Sequence, residues 1–257
     1  EMMSNQGQAY LDRIIVREVR EPATRMVTLR TGEANYTHYP VFEELESFQA
    51  DGFNIHQAPR PGFAKSMPIN MERVPTDDLS VRQAINYGID KELVVDIVLS
   101  GWGRPAYGPL KRGTFGYDSA VENYYNYDPD LAASLLEEAG WIDSNGDGIR
   151  ERDGQNLTVD LIMFDSGINA SMAEFIQALL FELGFEANLD ITAYDAFAQR
   201  VNETTYNLAE MNWASSDPNL VLFNMFHSSQ AGAGGQFNRT RVQSEALDSL
   251  IEGARSA

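Results

Sequence analysis

The sequence contains no cysteine, which excludes disulfides, thiolate nucleophiles and cysteine-ligated zinc. Lysine is almost missing too: Lys65, Lys91 and Lys111 are the only three in 257 residues. With 38 acidic residues against 19 basic ones, the formal net charge is −19. Nucleic acid and anionic membrane surfaces would repel such a chain, so neither is expected as a partner. The acidic excess is spread along the chain, as in a solubilising surface. No apolar run approaches the ~20 residues needed for a membrane-spanning helix. The chain starts at Glu1 and stops at Ala257 within a helical pattern, so it is expected to be a piece of a longer protein. The lack of a signal peptide at its start then says nothing about compartment. Catalytic constellations are scarce as well. The three histidines, His38, His56 and His227, lie far apart, and there is no His-Glu-x-x-His spacing, nucleophile elbow or phosphate loop. No enzyme is expected.

What is present is enough apolar sequence, 43% of residues, to build a packed core. Residues 10–19 read as a strand through Leu11, Ile14, Ile15, Val16 and Val19. Pro22 sits in the first turn of a helix carrying Met26, Val27 and Leu29 and closed by Gly32. A short helix follows with Phe42, Leu45 and Phe48, and then an extended stretch over 53–70 interrupted by Pro59, Pro61 and Pro68. Asp77-Asp78 caps one helix, with Val81, Ala84 and Ile85 on one face. Asp90 caps the next, with a stripe of Leu93, Val94, Ile97 and Val98. Residues 101–127, rich in tyrosine, read as a long irregular segment.

Asp128-Pro129 opens a helix that Gly140 ends, with Trp141 folding back on Leu136. Alternating residues over 157–163 and 185–191 read as strands, separated by an amphipathic helix through Met172, Ile176, Leu180 and Leu183. A helix over about 195–202, a short strand and turn from Met211, a helix with Leu220, Leu222, Phe223 and Phe226, a loop with Gly232, Gly234 and Gly235, and a helix with Leu247, Leu250 and Ile251 complete the chain. Strands separated by helices predict an α/β fold, a mixed sheet flanked by helices. The seam between domains is expected near residues 70–76.

Two stretches carry candidate chemistry. Met211 to Pro218 reads as a strand running through a polar turn into a helix opening at Asp217-Pro218. Such a junction offers free backbone N–H groups, small hydroxyls and a carboxylate beside an indole, which suits a small polar ligand. The plainer alternative is a core Trp213 followed by an ordinary Asp217 cap. The second stretch, residues 143–154, begins like a calcium-binding loop. Side-chain oxygens of Asp143, Asn145 and Asp147, the carbonyl of Ile149, then Glu151 and Asp153 are its candidate ligands, since calcium needs six or more convergent oxygens. No glutamate closes the loop, because position twelve is Gly154. The alternative is a hairpin built on Asn145-Gly146 and Asp147-Gly148 turns.

Blocks along the whole chain resemble the family 5 extracellular solute-binding proteins, the dipeptide, oligopeptide and nickel-binding components of ABC importers. The most specific are Val81-Arg82-Gln83-Ala84-Ile85 with Ile89-Asp90-Lys91, and Tyr127-Asp128-Pro129 leading to Glu138-Ala139-Gly140-Trp141. Tyr10 to Ile14, Trp213, Asp217-Pro218 and Phe226-His227-Ser228 add to them. The resemblance implies a two-lobed periplasmic-binding-protein fold of the second type, without chemistry or a required cofactor. Residues 1–71 are then a remnant of lobe one with a crossing strand, and 72–257 most of lobe two.

The implied role is extracytoplasmic, periplasmic or at the cell surface. A monomer captures a small solute, most simply a short peptide, and delivers it to a membrane permease. Peptide-binding relatives carry an Asp three residues after the Trp to pair with the peptide α-amine. Here that position is Ser216, and Asp217 follows. Asn212, Trp213, Ser215, Ser216 and Asp217 are the expected ligand contacts. An oligosaccharide or other neutral solute, or a calcium-stapled extracellular interaction module, is the alternative.

Overall fold

A computed structural model describes residues 10–58, 60–231 and 237–256 and divides the chain into two compact units, Glu1–Ile55 and His56–Ala257. Pro59 and the expected loop glycines Gly232, Gly234 and Gly235 lie outside the described residues.

In the first unit, α1 (Pro22–Arg30) starts at its proline, whose missing N–H costs nothing in a first turn. A 3-10 turn at Phe42–Glu44 leads into α2 (Leu45–Ala50). Met26, Leu45 and Phe48 are buried, and the Arg30 guanidinium lies 4.4 Å above the Phe48 ring. The expected strand over 10–19 does not form. Its residues carry no ladder, and Leu11, Ile14, Ile15 and Val16 are exposed. Alternating side chains make a strand only when a second backbone accepts its hydrogen bonds, and none pairs here among the described residues.

The second unit opens with β1 (Gly62–Ser66), followed by α3 (Leu79–Gly88), α4 (Lys91–Leu99) and α5 (Pro129–Glu138). Asp78, Asp90 and Asp128 cap these helices, each accepting from N–H groups of the first turn. At the end of α5, Trp141 N–H donates to Leu136 O and Gly140 N–H to Glu137 O, with Gly140 at φ +84°. This is the glycine stop read from the sequence. The α4 stripe is only half used: Val98 is buried, whereas Leu93 and Ile97 face solvent.

A two-residue hairpin, β2 (Glu151–Arg152) and β3 (Gln155–Asn156), precedes β4 (Thr158–Phe164), α6 (Asn169–Glu182), β5 (Glu186–Thr192) and α7 (Tyr194–Asn202). The chain ends with β6 (Leu208–Ala209), β7 (Met211–Ala214), α8 (Pro218–Phe226) and α9 (Glu245–Ser256).

The sheet runs β5-β4-β6, all parallel, and Ile69 adds an antiparallel bridge to Leu208, so the sheet is mixed. Strand β4 is buried on both faces, as an interior parallel strand must be. Val159, Leu161 and Met163 belong to a core that includes Val81 and Ile85 of α3, Leu136 of α5 and Leu180 of α6. Ile162 packs on the other side with Phe197, Val201 and Tyr206. On α8 the buried residues are Val221 and Met225, and Leu220 is exposed.

Asn207 ties the sheet to the 70–76 segment. Its N–H donates to Asp160 O (2.9 Å), its carbonyl accepts from Asn70 N–H (2.8 Å), and its side-chain oxygen accepts from Asp160 N–H (3.0 Å) and Arg73 Nε (3.3 Å). Its amide nitrogen donates to Val74 O (3.1 Å) and Thr76 Oγ1 (3.0 Å). The residue is buried with every polar group satisfied.

Leu161→Ala leaves a cavity in the fully buried core around β4. It should cost about 2–5 kcal/mol, read as a lower urea midpoint with an unchanged slope.

Candidate functional site

Strands β1 and β7 pair antiparallel, with Gly62 opposite Ala214, Phe63 opposite Trp213 and Ser66 opposite Met211. On the other side of β1, Leu110 bridges Phe63, Lys111 N–H donates to Gly62 O (2.9 Å), and Gly62 N–H donates to Thr114 Oγ1 (3.0 Å). Three chain segments therefore meet at Gly62. A Cβ there would lie 2.5 Å from Ser215 N and from Trp213 O, so only glycine permits the approach.

Trp213 is half-buried against a small cluster of Phe63, Met211, Val221 and Met225. The Phe237 ring stacks on it at 4.9 Å and 24°. Beyond Trp213 the chain turns. Ser215 N–H donates to Pro61 O (3.2 Å), and the Ser215 hydroxyl accepts from Asp217 N–H (3.1 Å). Asp217 caps α8, its Oδ1 accepting from the N–H groups of Asn219 (2.9 Å) and Leu220 (3.4 Å). Asn212, Ser216 and Asp217 are exposed, and Ser215 is partly so. The cap reading of Asp217 holds, whereas Trp213 is half-buried and not a core residue. The aspartate is a helix cap, and it presents a carboxylate to solvent beside an aromatic wall.

The 143–154 stretch holds itself through its own hydrogen bonds. Asp143 accepts from Gly146 N–H (2.7 Å) and Gly148 N–H (3.0 Å), Asn145 from Asp147 N–H (2.8 Å), Asp147 from Ile149 N–H (2.8 Å), and Glu151 from Ser144 N–H (3.0 Å). Asp153 occupies the turn between β2 and β3 at φ +54°. Among the described residues no three His, Asp or Glu side chains are placed to hold a metal ion. Calcium at this loop is a proposal, tested by a calorimetric titration at millimolar calcium. With calcium chelated, Asp143→Ala should still destabilise the protein by about 1–2 kcal/mol, because two backbone N–H groups lose their acceptor.

A second polar centre escapes sequence reasoning. Glu210, buried between β6 and β7, pairs with Lys65 of β1 at 2.9 Å. Its carbonyl accepts from Arg239, whose guanidinium lies 5.1 Å from the Phe197 ring. Tyr206 donates its hydroxyl to Arg239 O (2.9 Å). Two signals were available: a carboxylate between Ala209 and Met211, and one of only three lysines on the crossing strand.

With this geometry in hand, known proteins provide the comparison. A family model described as bacterial extracellular solute-binding proteins, family 5 middle, matches residues 4–233. The chain belongs to this family. The oligopeptide-binding protein AppA of Bacillus subtilis is 25% identical over 98% of the chain and 46% of its own length. The nickel-binding periplasmic protein of Escherichia coli is 29% identical over 70% of the chain and 35% of its own length. The solved structure of AppA in complex with a nonapeptide superimposes with a TM-score of 0.78 at 24% identity, covering 93% of this chain and 47% of that one. The fold is therefore that of the type II periplasmic binding proteins. This family 5 chain spans about half the length of the curated relatives it matches.

Burial pushes the Tyr206 hydroxyl up to about 12 from an ordinary 10.0. The unfolded chain therefore ionises first, and stability present below pH 10 is lost as pH rises toward 12. Tyr206→Phe should flatten this alkaline slope, measured by urea unfolding at stepped pH.

Proposed function

We propose that this chain forms the larger part of one lobe of an extracytoplasmic solute-binding protein serving an ABC importer, with a short peptide as the solute. The observation that carries the reading is the β7–α8 junction, where Trp213 and its stacked Phe237 adjoin an exposed carboxylate and small hydroxyls. Family membership and the peptides that relatives are named for supply the context. In this reading Trp213 is the apolar wall, Ser215 and Ser216 are hydrogen-bonding groups, Asn212 is a further polar contact, and Asp217 pairs with the peptide α-amine. A charged amine enclosed in a cleft needs such a partner, because an unpaired buried charge is costly. Capture proceeds by hinge closure, driven by the solute's higher affinity for the closed form, and the loaded protein docks on a membrane permease. No bond is made or broken.

A neutral solute such as an oligosaccharide is the second reading. It is favoured by the engagement of Asp217 as a cap, which shifts the contacts toward Trp213 and the exposed Ser216.

Mass spectrometry of the small molecule released when the protein is denatured tests the choice. Short peptides are expected, and Asp217→Asn should then weaken tripeptide binding roughly tenfold, about the worth of one charge-assisted contact, while N-acetylated tripeptide is unaffected. A co-purified sugar would retire the peptide assignment and shift the weight to Trp213, Ser215 and Ser216.

A further inference from the structure

The open side of the sheet has a feature that solute capture does not use. Strand β5 pairs only with β4 among the described residues, so one of its edges is bare. Glu186 N–H donates inward to Leu157 O, and Thr192 O accepts from Asp165 N–H. Alternation along the strand then turns the backbone groups of Ala187, Leu189 and Ile191 outward. Gln177 of α6 donates from Nε2 to Ala187 O (2.7 Å). The outward N–H and C=O groups of Leu189 and Ile191 have no partner among the described residues. Such a row is a template for another backbone.

Beside this edge a groove of about 540 Å³ runs between α6 and β5. Ile149, Ala178 and Ala187 line it, and Phe181 stands in it 56% exposed. Its rim is acidic. Glu174 and Glu182 make no ion pair or hydrogen bond among the described residues. Glu186 meets only the neutral donors Thr158 Oγ1 (2.7 Å) and Asn156 Nδ2 (3.3 Å). Elsewhere in this unit Lys65, Arg73, Arg152 and Arg200 each sit against an acid. Here Arg150, next to Ile149, commits its guanidinium to Leu183 O, Trp141 O and Glu137.

Outward backbone groups, an apolar floor and unbalanced carboxylates fit one class of occupant, an extended segment that mixes cationic with apolar residues. A second copy of the chain fits poorly. It would set the rim acids against themselves, with a net charge of −19 on each side. We propose that the β5 edge and the groove beside it dock an extended, lysine- or arginine-bearing segment of a partner protein. The segment adds as a further strand on Leu189 and Ile191. Its apolar side chains lie against Phe181, and its cations meet Glu174, Glu182 and Glu186. The surface lies wholly within the second unit and is independent of which solute is captured.

The probe is a hexapeptide of alternating valine and lysine, acetylated and amidated so that it offers no α-amine to Asp217. Amide chemical shifts and equilibrium titration follow its binding. Shifts are expected at Phe181, Leu189 and Ile191, with binding roughly tenfold tighter than that of the valine–glutamate hexapeptide, the worth of one charge-assisted contact. Raising salt from about 0.05 to about 0.5 M should erase most of this difference. Phe181→Ser and Glu182→Gln should each weaken the lysine peptide about threefold, and a peptide N-methylated at every residue should not bind. Both side chains are exposed, so both variants should melt with the parent protein. Equal binding of the lysine and glutamate peptides, or no shift at Leu189 and Ile191, would overturn the proposal and leave the acids as a guard against edge pairing. Shifts confined to Trp213 and its turn would overturn it as capture at the candidate solute site. A dimer in sedimentation that Phe181→Ser dissociates would overturn it in favour of pairing between copies.

Discussion

The second unit depends on one buried asparagine. Parallel strands expose their last backbone groups at the edge of the sheet, and an orphaned buried amide or carbonyl there is expensive. Asn207 removes that cost by bonding β4 on one side and the 70–76 segment on the other with both its backbone and its side chain. Arg73 adds an ion pair to Asp160 at 2.6 Å across the same junction. Everything downstream inherits this placement. Asn207 opens β6, β6 leads through Glu210 into β7, and β7 carries Trp213 to the turn where Asp217 starts α8.

The candidate site is held from two directions. Gly62 lets β1 approach β7 closely enough for Ser215 N–H to reach Pro61 O. Lys65, on the same strand, reaches the otherwise buried Glu210 carboxylate. A charge of that kind is tolerated only with its partner in place, so the pair specifies how β1 lies against the sheet edge. The aromatic wall is thus mounted on regular structure, while the groups able to meet a ligand sit on the turn that follows it.

Local signals were legible where chemistry and geometry are both local. The caps Asp78, Asp90, Asp128 and Asp217, the prolines at first turns and the glycine stop at Gly140 act within a few residues, and the structure uses each as its type dictates. The strands on either side of α6 were equally plain, since their alternation meets a core on both faces of β4. Legibility failed where a partner was needed. Residues 10–19 alternate like a strand, yet no backbone pairs with them among the described residues. Leu93 and Ile97 sit on a helical stripe, yet only Val98 is covered fully.

The order of residues by itself determined several helix caps and stops, the α/β class and the family, because each rests on short-range spacing or on blocks of adjacent residues. It also singled out the β7–α8 junction. Only the tertiary structure decided that Phe237 stacks on Trp213, that Glu210 meets Lys65 across 145 positions, and that Lys111 N–H bonds to Gly62 O. Such pairings join residues far apart in the chain. Their cost is the closure of long loops, which the packed core offsets only once the whole unit has formed.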